Sequence, residues 1–295
     1  MKKLALSVSV LVISVVSASA ADMAPVYTKA PAFVPAPVYN WTGFYIGGNV
    51  GYGWGNGAID PRAIGTQTGV FPDGPDQLAA QLAGLTPSNT NPGGVLGGVQ
   101  AGYNWQFNRF VLGVETDFSG ADIKGSASSN VNFPVVSAPP AAVATALTTS
   151  ERLNSFGTLR GRAGFTVFDQ VLLYATGGFA FGQANSSIAV AQTGTGGPAN
   201  DTFTPSAANA SRTLTGWTVG GGGEWAFGGN WSVKAEYLYY DLGHLNYTAP
   251  GIVGIAGATG TPFTFTSLSP SAEFKGSIVR VGLNYKFGGP VVAKY

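Results

Sequence analysis

Eight charged residues form the constellation in this chain whose chemistry can be read: Glu115, Asp117, Glu224 and Glu236 against Arg160, Arg162, Lys234 and Arg280. Four carboxylates and four cations stand out where only 10% of residues are charged. Each lies in a run that alternates apolar and polar residues, always on the polar side, so the eight would share one face of a sheet. Opposite charges also fall at matching places. Around a turn centred on Gly229, Glu224 lies across from Lys234, while Glu236 with Arg280, and Glu115 with Arg162, come at similar distances along neighbouring runs. Side chains of both signs turned into a confined interior can neutralise one another as a salt-bridged plug, or they can line a path for ions.

Other chemistries find weaker support. His244 is the sole histidine and follows Asp241, but a hydrolytic or acyl-transfer site would also need a marked nucleophile beside it. Asp60, Asp73 and Asp76 are separated by Pro and Gly and lack the spacing of a calcium loop. The run Gly220 to Gly223 precedes no helix that could present a phosphate site, and reads as small residues leaving space or a kink in a strand. The expectation is therefore a non-enzyme with no catalytic residue, cofactor or metal.

The elements that must position the eight charges are strands. The stretch FKGSIVRVGLNYKF, residues 274–287, puts Val279, Val281, Leu283, Tyr285 and Phe287 on one face and Arg280, Gly282, Asn284 and Lys286 on the other. Seven further blocks repeat the pattern at 42–54, 94–106, 109–121, 151–168, 171–184, 212–227 and 231–242. Tight turns at 107–108, 169–170 and 228–230 alternate with long loops at 55–93, 122–150, 185–211 and 243–273, rich in small residues. Nothing after residue 21 is long and apolar enough for a membrane-spanning helix, yet every block has the 9 to 11 or so residues with which a tilted strand crosses a bilayer. Charged residues share the side opposite the aromatics on five blocks. A soluble barrel would place its bulky apolar residues inside; here they face out. The fold predicted is all-β: an eight-stranded antiparallel up-and-down transmembrane β-barrel with short periplasmic turns and four long extracellular loops, closed between its first and last strands because lipid offers no partner to an open edge. Leu153 is expected outward. Trp105, Phe110, Phe168, Phe227, Trp231, Tyr285 and Phe287 would form the periplasmic girdle, and Trp54, Phe118, Tyr239 and Phe274 the outer one. An eight-stranded interior is just wide enough for side chains to fill, which favours a plug over a channel.

The remaining segments fit that location. Residues 1–20 pair Lys2 and Lys3 with an apolar run and small residues ending Ala18, Ser19, Ala20, a secretory signal with cleavage expected before Ala21. Residues 21–40 carry four prolines and read as a periplasmic linker, residues 41–288 as the barrel, and 289–295 as a short tail. The absence of cysteine excludes disulfide staples, and 15 basic against 14 acidic residues leave no footprint for nucleic acid.

The blocks WTGFYIGGNVGYGWG, GGVQAGYNWQ, GVETDF, FGTLRGRAGF, LLYATGGFAFG, GWTVGGGGEWAF, WSVKAEYLYYDLG and RVGLNYKF cover all eight strands and resemble the RopB-type outer-membrane barrels of alphaproteobacteria. That resemblance implies an outer-membrane, porin-like fold, with roles in envelope integrity and surface exposure and, in some members, pore formation or haemin binding. The order Arg280, Gly282, Tyr285, Phe287 resembles the C-terminal signal read by the barrel-assembly machinery. Partners expected are therefore that machinery, outer-membrane lipid and lipopolysaccharide; no oligomeric state follows. Three function classes stand: a structural, surface-exposed envelope protein, a small diffusion pore, and a surface receptor acting through its loops.

Overall fold

A computed structural model describes residues 39–64, 84–134, 142–195, 202–255, 262–264 and 267–288. The signal segment, nearly all of the linker, and the tail lie outside the described residues, as do Asp73 and Asp76.

Eight strands form the ring, labelled here β1 (Gly43–Gly55), β2 (Gly93–Phe107), β3 (Phe110–Pro134), β4 (Ala142–Phe168), β5 (Val171–Thr195), β6 (Ser206–Gly228), β7 (Trp231–Asn246) and β8 (Ser271–Lys286). Each pairs antiparallel with the next, and β8 pairs with β1 from Tyr45↔Lys286 to Gly55↔Gly276, so the sheet closes on itself. The three short turns take little more than two residues. Asn108 and Gly229 adopt positive φ of 54° there, a conformation open to Asn and Gly at low cost.

Alternation then sorts the side chains. Val50, Val99, Leu112, Phe118, Val219, Trp225 and Val281 point outward and exposed, and the eight charged residues point inward and buried. Trp105, Phe110, Phe168, Phe227, Trp231 and Phe287 stand exposed near the short-turn ends, with Trp231 and Tyr285 edge to face at 5.0 Å. This is the girdle expected of a lipid-facing surface.

Two residues depart from their expected faces. Leu153 is buried inside because the register shifts between Leu153 and Ser155, and the extra residue reverses the parity of everything above it. Phe274 has the parity of Arg280 and Ile278, so it too turns inward and leaves the outer girdle to Trp54, Phe118 and Tyr239.

The strands are also unequal. β3, β4, β5 and β6 run 25, 27, 25 and 23 residues, whereas β1, β2, β7 and β8 run only 13 to 16. Much of what reads as loop between 122 and 150 and between 185 and 211 is ladder, raising one half of the barrel wall well beyond the roughly ten residues a bilayer needs.

Candidate functional site: a stacked lumen

The lumen is filled in three layers. At the short-turn end Trp41 is 2% exposed and packs with Val111, Leu172, Tyr174 and Ala226. Its backbone N–H donates to Gln106 Oε1 at 2.7 Å and its indole N–H to the Asp169 carbonyl at 3.3 Å, so the end of β2 and the turn after β4 hold the stopper. Tyr39 meets it edge to face at 4.8 Å.

The middle layer gathers all eight charged residues. Glu115 is the hub. Arg160 Nη2 approaches its Oε1 at 2.5 Å, Lys234 Nζ lies 2.7 and 2.8 Å from its two oxygens, and the Tyr45 hydroxyl donates to Oε2 at 2.7 Å. Arg160 also reaches Asp117 at 3.1 Å and Glu236 at 2.9 Å. Arg280 joins the same two carboxylates at 3.0 and 2.7 Å. Arg162 Nη2 binds Glu224 at 2.8 Å, while its guanidinium lies over the Tyr174 ring at 4.1 Å. Ser232 Oγ and Asn284 Nδ2 donate to Glu224 at 2.6 and 2.8 Å, and the Tyr174 hydroxyl donates to Glu236 at 3.1 Å. Every ion here is buried, and every one has an opposite partner within 3.1 Å. Such neutralisation is what makes charge tolerable in a closed interior.

Of the three expected pairs, Glu236 with Arg280 is formed and is also a ladder pair. Glu224 and Lys234 are opposite in the ladder, but Lys234 reaches across the lumen to Glu115 instead. Glu224 takes Arg162, leaving Glu115 and Arg162 a longer 3.7 Å contact. Glu115 is the ladder partner of Arg160, two residues from the one expected. The cause is width: across eight strands the long Lys and Arg side chains span the bore, so neighbours in the ladder need not be partners in charge.

Glycines open room for these side chains. A Cβ on Gly222 would overlap the Ala235 carbonyl and stand 2.9 Å from the Tyr174 hydroxyl, so the inward members of the glycine run, Gly220 and Gly222, serve space inside the barrel. Above the charges Leu96, Ile123, Leu153, Phe156, Leu238, Tyr240, Phe274 and Ile278 close the outer end, joined by Ile59 from the first extracellular segment. His244 faces Glu273 at 4.0 Å and not Asp241, whose Oδ1 accepts the Gly243 amide. Among the described residues no group of three or more metal-ligating side chains occurs, and Asp60 pairs with Arg62 at 3.5 Å.

Of the C-terminal quartet, Arg280 and Gly282 face the lumen while Tyr285 and Phe287 face outward, 5.3 Å apart edge to face. Sequence reasoning missed Trp41, whose isolation before the first strand gave no hint, and Tyr45, whose parity with Asn49 was readable.

A closed ring with an apolar exterior, aromatic ends and a packed polar bore defines an outer-membrane β-barrel with a filled lumen. The chain belongs to the outer membrane protein β-barrel domain family, which it matches over residues 8–287. It is similar to the 31 kDa outer-membrane immunogenic protein of Brucella melitensis, 35% identical over 272 residues covering 92% of this chain and 94% of the relative. It is also similar to the 22 kDa outer membrane protein of Rhizobium leguminosarum bv. viciae, 28% identical over 213 residues, 72% of this chain and 69% of that one. The outer membrane protein OprG from Pseudomonas aeruginosa aligns with 10% identity over 84% of this chain and 97% of its own, at a TM-score of 0.39. The alphaproteobacterial family expected from the strand blocks, and the outer-membrane location, are thus the ones found.

Proposed function

We propose that this protein is a structural, surface-exposed component of the outer membrane that contributes to envelope integrity, and is neither a diffusion pore nor an enzyme. The observation that carries the reading is the three-layered lumen. An ion crossing it would have to displace Trp41, part a neutralised network of eight charges, and pass an apolar core. The strands that rise beyond the bilayer on one side support surface exposure, as does the relative's description as an immunogenic outer-membrane protein. On this reading the partners are lipid and lipopolysaccharide around the wall, and the assembly machinery at the last strand, where Tyr285 and Phe287 remain outward and available.

The test is ion conductance of the refolded, detergent-purified protein in a planar bilayer. Silence from a preparation shown to be folded is the expected result. Steady openings that change with Glu236→Ala would overturn the structural reading in favour of a pore lined by these charges.

A further inference from the structure

Glu151 lies on the inward row of β4 after that strand has left the bilayer. Its ladder partners are Gly125 and Ser186, seven residues beyond Phe118 on β3 and five beyond Phe181 on β5. The residue is 3% exposed. What covers it are two stretches of the first extracellular segment: Ala58–Asp60, which pairs with β8, and Ser88–Asn89, which pairs with Ala58–Asp60. The Thr90 amide donates to the Gly57 carbonyl at 3.0 Å, closing the base of this small lid. The Thr90 hydroxyl donates to Glu151 Oε1, and Gly57 sits so close that any side chain there would overlap the same carboxylate. One step along the row the hydroxyls of Ser88 and Thr149 meet at 2.7 Å.

The other carboxylate oxygen, Oε2, is buried without a hydrogen-bond partner. The titratable and charged neighbours on each packed element supply no counter-ion. Glu273 and Lys275 on β8 bind each other at 2.7 Å, and His244 on β7 contacts Glu273. Tyr240 on β7 contributes a neutral phenol, while Asp122 and Lys124 on β3 and Arg152 on β4 form their own exposed cluster. Asp60 and Arg62 on the lid pair with each other.

We propose that Glu151 is a proton-operated latch, holding residues 57–60 and 88–90 over the barrel mouth when protonated and loosening them when ionised. Burial pushes this carboxyl up to about 7, the Thr90 hydroxyl works against the rise, and Glu273 adds to it. Once the lid lifts, the group meets water and returns towards its ordinary 4.5. The closed state therefore binds the proton more tightly, so closure is strongest below about pH 4.5, weakens as pH rises to about 7, and levels off above. From well below pH 4.5 to well above pH 7 the closed-to-open ratio falls by about 300-fold in all. Opening uncovers the apolar cup around Leu96, Ile123 and Phe156, which gives the cell-surface end of the barrel a pH-dependent face.

Native-state hydrogen exchange of the refolded full barrel in micelles tests this independently of conductance. The Ser269 amide, which donates to the Arg62 carbonyl on the lid at 2.7 Å, should, after correction for intrinsic exchange, lose about 70-fold of its protection between pH 5 and pH 8. The Ala226 amide, which donates to the Gln170 carbonyl at 2.9 Å at the opposite, short-turn end of the barrel, should hold its own. Glu151→Gln should make the Ser269 profile flat. A flat profile in the native protein, or an equal fall in Glu151→Gln, overturns the latch. If Glu151→Gln does not refold, Glu273→Gln replaces it: the midpoint should move to lower pH, and an unmoved midpoint overturns the latch as well.

Discussion

Lys234 discriminates between a lumen wired along its ladder and one wired across its bore. Its side chain is 0% exposed, and its ammonium lies 2.7 Å from Glu115 Oε1, whereas Glu224, its ladder neighbour, is bound to Arg162. At that distance and an effective dielectric near 20, the gross attraction to Glu115 is about 6 kcal/mol. Desolvation of both ions offsets much of this, so removing one partner should cost about 3–5 kcal/mol, largely for the charge left behind. Glu115→Gln and Lys234→Met should each destabilise by about that amount, with a double variant milder than their sum by about 2 kcal/mol or more. Glu224→Gln should also destabilise, by stranding Arg162, yet combine with Lys234→Met to within about 1 kcal/mol of additivity. Equilibrium unfolding of the refolded barrel in urea, followed by tryptophan fluorescence, measures both cycles. A Glu224–Lys234 coupling as large as that of Glu115–Lys234 would refute the cross-bore assignment.

Trp41→Ala should lower stability by about 3–5 kcal/mol in the same urea titration, as for any fully buried Trp, while planar bilayers stay silent because the charged layer persists. Gly222→Val should cost about 1–3 kcal/mol through its clash with the Ala235 carbonyl and Tyr174, whereas the exposed Gly228, with open space around its Cβ position, should accept Ala with a change under about 0.5 kcal/mol. Ile59→Ala should cost about 2–5 kcal/mol and speed proteolysis within residues 57–91, read by mass spectrometry of the fragments. Tyr285→Ala combined with Phe287→Ala should slow insertion in the presence of purified assembly machinery far more than spontaneous insertion into thin bilayers; an equal slowing would show that only lipid anchoring was lost.

The ring was legible because its signal is repeated eight times and depends on parity alone. From Val279 to Lys286 each residue faces as its position in the alternation predicts. Parity fails only where something outside the pattern intervenes, as at the register shift that turns Leu153 inward, and no residue type in that stretch announces the shift. The identity of the lumen charges was equally readable, since each shares the face opposite the aromatics. Their partners were not: ladder adjacency is a property of backbones, and the reach of Arg160, Arg162 and Lys234 across the bore depends on which strands lie opposite in the round. Trp41 lay beyond reach for a related reason. Its place is fixed by Gln106 at the end of β2 and Asp169 on a turn, both more than sixty positions away. The outer halves of β3 to β6 read as loops because Ser, Ala, Gly and Asn, which carry little strand preference, are interspersed among their Thr and Val residues, and their pairing comes from the neighbour already in place.

Unequal strand lengths also undo, above the membrane, what ring closure achieves within it. Past Lys124, β3 outlasts β2, and among the described residues its ladder from Ser126 to Pro134 continues on one side only, with β4. A sheet margin of that kind invites another chain to join it. This one is written in Ser126, Ser128, Ser129, Asn130 and Asn132 and ends on Pro134, which has no N–H to offer. The one feature of this margin that opposes an added strand is Pro134, which withholds a donor at its top and so limits how far such a ladder could be extended.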